Sequence, residues 1–161
     1  MSRVFGRVGF RDLLAFALRC GLGGLLVAAG LEKLEAFAWW SAQVHAMKLG
    51  PERWSAAAAA IVAGAEVSAG AFLVLGLCAR AALLAAAFLY AVFAAAMATV
   101  LATGTAETCA CFGPSSSFPV SVNHVLLNVV AVLLLVAIYA FGPGRLTADE
   151  FARSRFSPAS A

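Results

Sequence analysis

Two cysteines one residue apart, in Cys109-Ala110-Cys111-Phe112-Gly113-Pro114, form the stretch of this chain best suited to chemistry. Thiols at that spacing can close a small, strained disulfide ring, and strain makes a disulfide easier to reduce. Gly113 and Pro114 favour a sharp turn that would hold the pair at a surface. A static disulfide is the competing reading, but so short a link removes almost no loop entropy from the unfolded chain. Closely spaced thiolates also suit Cu(I). With no further cysteine nearby and no methionine cluster, thiol–disulfide exchange fits better, and no metal site is expected. Cys20 and Cys78 stand alone and read as small hydrophobes.

A second set of residues is polar within apolar surroundings. Glu66 falls near the middle of an apolar run, where a carboxylate is costly and points to function by default. It is expected to be protonated or to pair with Arg19, the basic residue inside another such run. Ser117, Ser121, His124 and Asn128 are spaced by four, three and four, so a helix would align them on one face. That face would lead down from beneath the cysteine pair towards the depth of Glu66. Glu66, His124, Asn128, Arg19 and Lys33 are therefore the candidate proton or polar relay. A polar clamp at Glu66 and a hydrogen-bonded helix seam at His124 and Asn128 are equally consistent. Lys33, placed near the outer surface, would lower the pKa of a thiol folded beside it.

The elements that position these groups are membrane helices. The chain has 161 residues, 63% hydrophobic and only 12% charged, far from a soluble domain. Four apolar stretches, about 13–31, 55–77, 81–102 and 122–141, approach the ~20 residues that cross a bilayer. An open sheet edge cannot be satisfied in lipid, so strands are not expected. The expected fold is an all-α integral membrane protein: one domain over 1–161, a four-transmembrane-helix bundle, and a tail over 142–161. Arg19 interrupts the first stretch, which reads as an uncleaved first span and not as a signal peptide. Alanine and glycine in the second and third stretches suit close helix contact.

Basic residues orient the bundle. Arg3, Arg7, Arg11, Arg80, Arg145, Arg153 and Arg155 would share one side; Lys33, Lys48 and Arg53 the other. That bias favours both termini in the cytoplasm, with the segment after residue 103 facing the periplasm of a bacterial inner membrane. There the compartment is oxidising and a disulfide persists. Residues 33–54 carry three tryptophans, Trp39, Trp40 and Trp54, and an apolar set of Leu34, Phe37, Val44 and Met47. They are expected to form an interfacial helix on the outer leaflet, or a lid on the bundle. His45 reads as a solvated interface residue. No basic tract with interleaved aromatics is present, which argues against nucleic acid as a partner.

The order of these residues resembles the MauE branch of the DoxX-like membrane proteins. Arg19 and Gly30-Leu31-Glu32-Lys33-Leu34 come first, then Glu66, then Cys109-Ala110-Cys111-Phe112-Gly113 ahead of a span bearing Asn128. The similarity covers about residues 13–141. It implies a four-helix bundle tied to redox chemistry. MauE proteins are linked to maturation of methylamine dehydrogenase, whose small subunit is rich in disulfides, alongside a thioredoxin-like periplasmic protein. Cys109 and Cys111 would then exchange disulfides with such a partner on behalf of an exported, disulfide-containing client, as a thiol–disulfide oxidoreductase. The wider family includes a subunit of a thiosulfate:quinone oxidoreductase, which makes quinone the candidate cofactor, although no sequence feature identifies a quinone pocket. The rivals are a non-catalytic assembly factor for a periplasmic redox enzyme, a DoxX-like quinone-linked subunit, and a proton-linked carrier using Glu66, His124 and Asn128.

Overall fold

The computed structural model describes residues 9–47, 51–104, 121–144 and 146–156. Among them every regular element is helical: α1 (Phe10–Glu35), α2 (Phe37–Ala46), a 3-10 turn (Glu52–Trp54), α3 (Ser55–Leu75), α4 (Ala79–Thr103), α5 (Val122–Phe141) and α6 (Ala148–Phe156). Four of them, α1, α3, α4 and α5, are long and apolar enough to span a membrane. Their outer surfaces are apolar too. α5 exposes Val122, Leu126, Leu127, Val130 and Leu133, an array that only lipid or a partner would cover at low cost.

The helices pair unevenly. α1 lies against α3 and α4 against α5, whereas α1 and α5 scarcely meet. The α1–α3 seam is built from residues without bulk. A Cβ on Gly70 would stand 2.6 Å from the Gly23 carbonyl oxygen, and one on Gly30 would stand 2.9 Å from that of Ala63. Backbones this close gain dispersion contacts that larger side chains would forbid, which matters in lipid, where apolar burial alone gives no drive to associate. A cluster of Leu26, Leu73, Leu83, Tyr90 and Leu135 fills the interior below it.

The seam continues through α2. Gly23 meets Gly70, Gly30 meets Ala63, and Trp40 donates its indole N–H to the Ala59 carbonyl at 3.1 Å. After a break at Ala36, α2 thus carries the path of α1 along the N-terminal half of α3. Trp40 and Met47 are buried there with Ala59, Met97 and Val100. The expected surface helix is therefore a packed part of the bundle. Leu34 belongs to α1 and is exposed, while Phe37 and Val44 flank the buried cluster and His45 is exposed.

At the opposite end, the segment after α5 is anchored through Asp149. Gly76 and Cys78, between α3 and α4, both adopt left-handed backbone (φ 67° and 45°). A side chain on Gly76 would also collide with Arg19 and Thr147. The Asp149 carboxylate closes the turn, accepting from the Cys78 N–H at 3.0 Å and the Ala79 N–H at 2.8 Å. It serves as a cap for α4 supplied from seventy residues away. Asp149→Ala should cost about 1 kcal/mol, within the range for lost helix caps. Amide hydrogen exchange should accelerate at Cys78 and Ala79 while the α1–α3 seam stays protected; unchanged exchange there would dismiss the cap.

Candidate functional site

Glu66 lies eleven residues from the start of α3 and nine from its end, so about 16 Å and 14 Å along the helix. At this mid-span depth its Oε1 is 2.7 Å from Lys33 Nζ, and the two side chains are 2% and 1% exposed. The basic partner of Glu66 is thus Lys33, not Arg19. Arg19 sits fourteen residues before Lys33 on α1, about 21 Å away. There it donates from Nε to the Leu73 carbonyl and from Nη1 to those of Pro143 and Leu146, at 3.0–3.2 Å. Its charge neutralises the C-terminal end of α3 and fastens the chain beyond α5. It has no place in a relay with Glu66.

Lys33 was expected at the outer surface, but α1 runs through it to Glu35, since no Gly or Pro follows Lys33 to end the helix. Its ammonium group also lies over Trp40 at 5.2 Å and Phe93 at 5.5 Å, contacts that compensate a buried cation. A lysine committed to a carboxylate and two rings, deep in the bundle, is not a surface charge available to a thiol.

Lys33 and Glu66 border a cavity of about 300 Å³ that also takes in Tyr90, His124 and Asn128. The structure therefore brings four of the five relay candidates to one space, from three helices. Ser121 caps α5 and fixes His124: its backbone N–H donates to Nδ1 at 3.2 Å, and its Oγ lies 2.9 Å from the same nitrogen. With Nδ1 accepting, the neutral ring carries its proton on Nε2. One turn deeper, the Asn128 amide donates to the His124 carbonyl at 2.7 Å. The Tyr90 hydroxyl donates to the Leu22 carbonyl at 2.9 Å, tying α4 to α1. Tyr90, Trp40 and Phe93 were not among the sequence candidates. An aromatic in an apolar helix carries no mark of the cavity it faces, although the hydroxyl of Tyr90 was a signal that a polar partner awaited it.

Glu66 Oε2 is buried without a hydrogen-bond partner among the described residues. Such an orphaned acceptor is rare and costly. Cys109, Cys111 and Ser117 lie outside the described residues. Their segment joins the C-terminal end of α4 to the N-terminal end of α5, the end of the bundle where α2 is packed.

A family model described as methylamine utilisation protein MauE matches residues 11–141. A curated relative, methylamine utilization protein MauE of Paracoccus denitrificans, is 35% identical over 140 residues, which is 86% of this chain and 75% of the relative. No solved structure gives a significant match.

Proposed function

Since the chain belongs to the methylamine utilisation protein MauE family and is a multi-pass membrane protein in an accessory role, we propose that it exchanges disulfides with a thioredoxin-like protein of the periplasm. The observation that carries this reading is the pair Cys109-Ala110-Cys111 in the segment between α4 and α5. Two thiols so close together serve no purpose in tying the fold but form a ring poised for attack. A partner thiolate attacks one sulfur of the Cys109–Cys111 disulfide, and a mixed disulfide forms. The second partner thiolate displaces it, so two electrons and two protons pass to Cys109 and Cys111 and the partner leaves oxidised. The reverse sequence reduces the partner. The client is an exported protein with disulfides, of the methylamine dehydrogenase kind. The distribution of Lys and Arg supports a bacterial inner membrane with this segment on the periplasmic side.

The test is a redox titration of Cys109 and Cys111 in the purified protein, read by thiol labelling and mass spectrometry. A reversible two-electron midpoint in the span of thioredoxin-like proteins, roughly −120 to −270 mV, is expected, and its position indicates which direction of exchange is favoured. A pair that never forms a disulfide, or stays oxidised far below that range, would replace this reading with that of a non-catalytic assembly factor. In that case serine at both positions would leave partner maturation intact.

A further inference from the structure

We propose that the cavity between α1 and α5 binds a lipid-soluble molecule whose planar head carries a ring hydroxyl, a hydroquinone or phenol with an apolar tail, and that Glu66 Oε2 accepts the hydroxyl proton in a hydrogen bond. This goes beyond the thiol reading and stands without it.

The orphaned oxygen sets the chemistry. Glu66 is 1% exposed at its side chain and lines the cavity; its Oε1 is engaged by Lys33, yet its Oε2 is buried with no described donor. Leaving a buried acceptor unmet costs on the order of 1–3 kcal/mol, and more when it is charged. A ligand hydroxyl removes that penalty; an acyl chain does not. An anionic headgroup would set like charge against the carboxylate. The walls set the shape. Trp40, Tyr90 and Phe93 contribute aromatic side chains, and the remaining lining is largely aliphatic, so a flat head with apolar flanks is favoured over a flexible polar one. His124, with its Nε2 proton, adds a second polar point on α5 for another head oxygen.

The route sets the solubility. α1 and α5 scarcely touch, and the cavity residues Leu25, Leu127 and Val130 are themselves exposed on the outer face of the helices. The mouth is therefore apolar and opens sideways between two spans. A solute would arrive through the hydrocarbon layer. A volume of about 300 Å³ holds one substituted ring and the first part of a tail, the rest remaining in lipid.

Binding is measured on the full-length protein in vesicles of saturated phosphatidylcholine. The probe is a decyl-substituted dimethoxy-methyl hydroquinone, and the control is its di-O-methyl ether, which has the same ring and tail but no donor. With Trp39→Phe and Trp54→Phe, Trp40 becomes the single tryptophan reporter. Saturable quenching of Trp40 by the hydroquinone is expected, at least tenfold weaker for the ether. Native mass spectrometry of the unsubstituted protein should show one bound hydroquinone. Leu127→Phe, on the exposed rim and clear of the Lys33–Glu66 pair, should weaken binding at least fivefold without loss of fold. Equal binding of probe and ether would mean a lipid-filled groove and overturn the proposal. Failure to saturate, or indifference to Leu127→Phe, would overturn it as well.

Discussion

Glu66→Leu is expected to cost the folded protein about 3–5 kcal/mol, the range for removing one partner of a buried ion pair. The loss would come from Lys33, which is 2% exposed and would be left at mid-span without its carboxylate, beside the Ala29 carbonyl at 3.5 Å and two aromatic rings. Lys33→Met should be damaging for the mirror reason. Together, Lys33→Met and Glu66→Leu should recover most of the stability, because two apolar side chains of similar volume replace two desolvated charges. The check is a double-mutant cycle on reversible unfolding in a bilayer mimetic. Losses that simply add would show that the two residues do not stabilise one another. The cycle also separates architecture from use. A double variant that folds but fails to support its client would mean that the pair was retained for function.

The second large effect lies in the α1–α3 seam. Gly70→Val is expected to cost at least about 3 kcal/mol, the upper part of the range for overpacking. The groups a Cβ would meet at Gly70 include backbone atoms, the Gly23 carbonyl oxygen at 2.6 Å and the Val27 nitrogen at 2.9 Å. A side chain can turn aside, but a helix backbone moves only as a body. The two helices would part and take Lys33 away from Glu66. Gly64→Val provides the control on the same helix, since nothing lies within 4 Å of its Cβ position. It should be nearly neutral in the same unfolding assay. Equal damage from both would place the cost in the helix itself and not in the seam.

Hydropathy made the four spans legible, because each apolar run exceeds what any other structure of this size could hide. The all-helical class followed from the solvent alone. The partner of Glu66 was not legible. Lys33 follows the apolar run, and a lysine at such an edge ordinarily marks the membrane surface. What overrode that rule was the continuation of α1 by α2, which carries the bundle a further ten residues beyond the break at Ala36. Arg19 misled in the opposite sense. Its interior position in an apolar run suggested a mid-membrane partner, yet α1 begins at Phe10 and Arg19 serves backbone carbonyls near the other end of the bundle. The helical spacing of Ser121, His124 and Asn128 was readable, and the local bonds among them are of the kind that spacing implies. That they share a cavity with Glu66 depends on how α3 and α5 are set about α4, which single-helix periodicity does not encode. The functional reading still rests on Cys109 and Cys111, whose spacing is informative without any fold.

The ion pair also has a history in time. Lys33 and Glu66 are thirty-three residues apart in the chain, so a ribosome adding 5–20 residues per second delivers the second roughly 2–7 s after the first. Throughout that interval α1 is in the insertion machinery with an unmatched ammonium group. A lone cation so close to a helix terminus can wait at the lipid headgroups, and it is drawn inward only when α3 brings the carboxylate. Co-translational assembly of this protein is thereby ordered. The α1–α3 hairpin must close before Lys33 can be accommodated, and α4 and α5 then add to a unit whose net charge has already been cancelled.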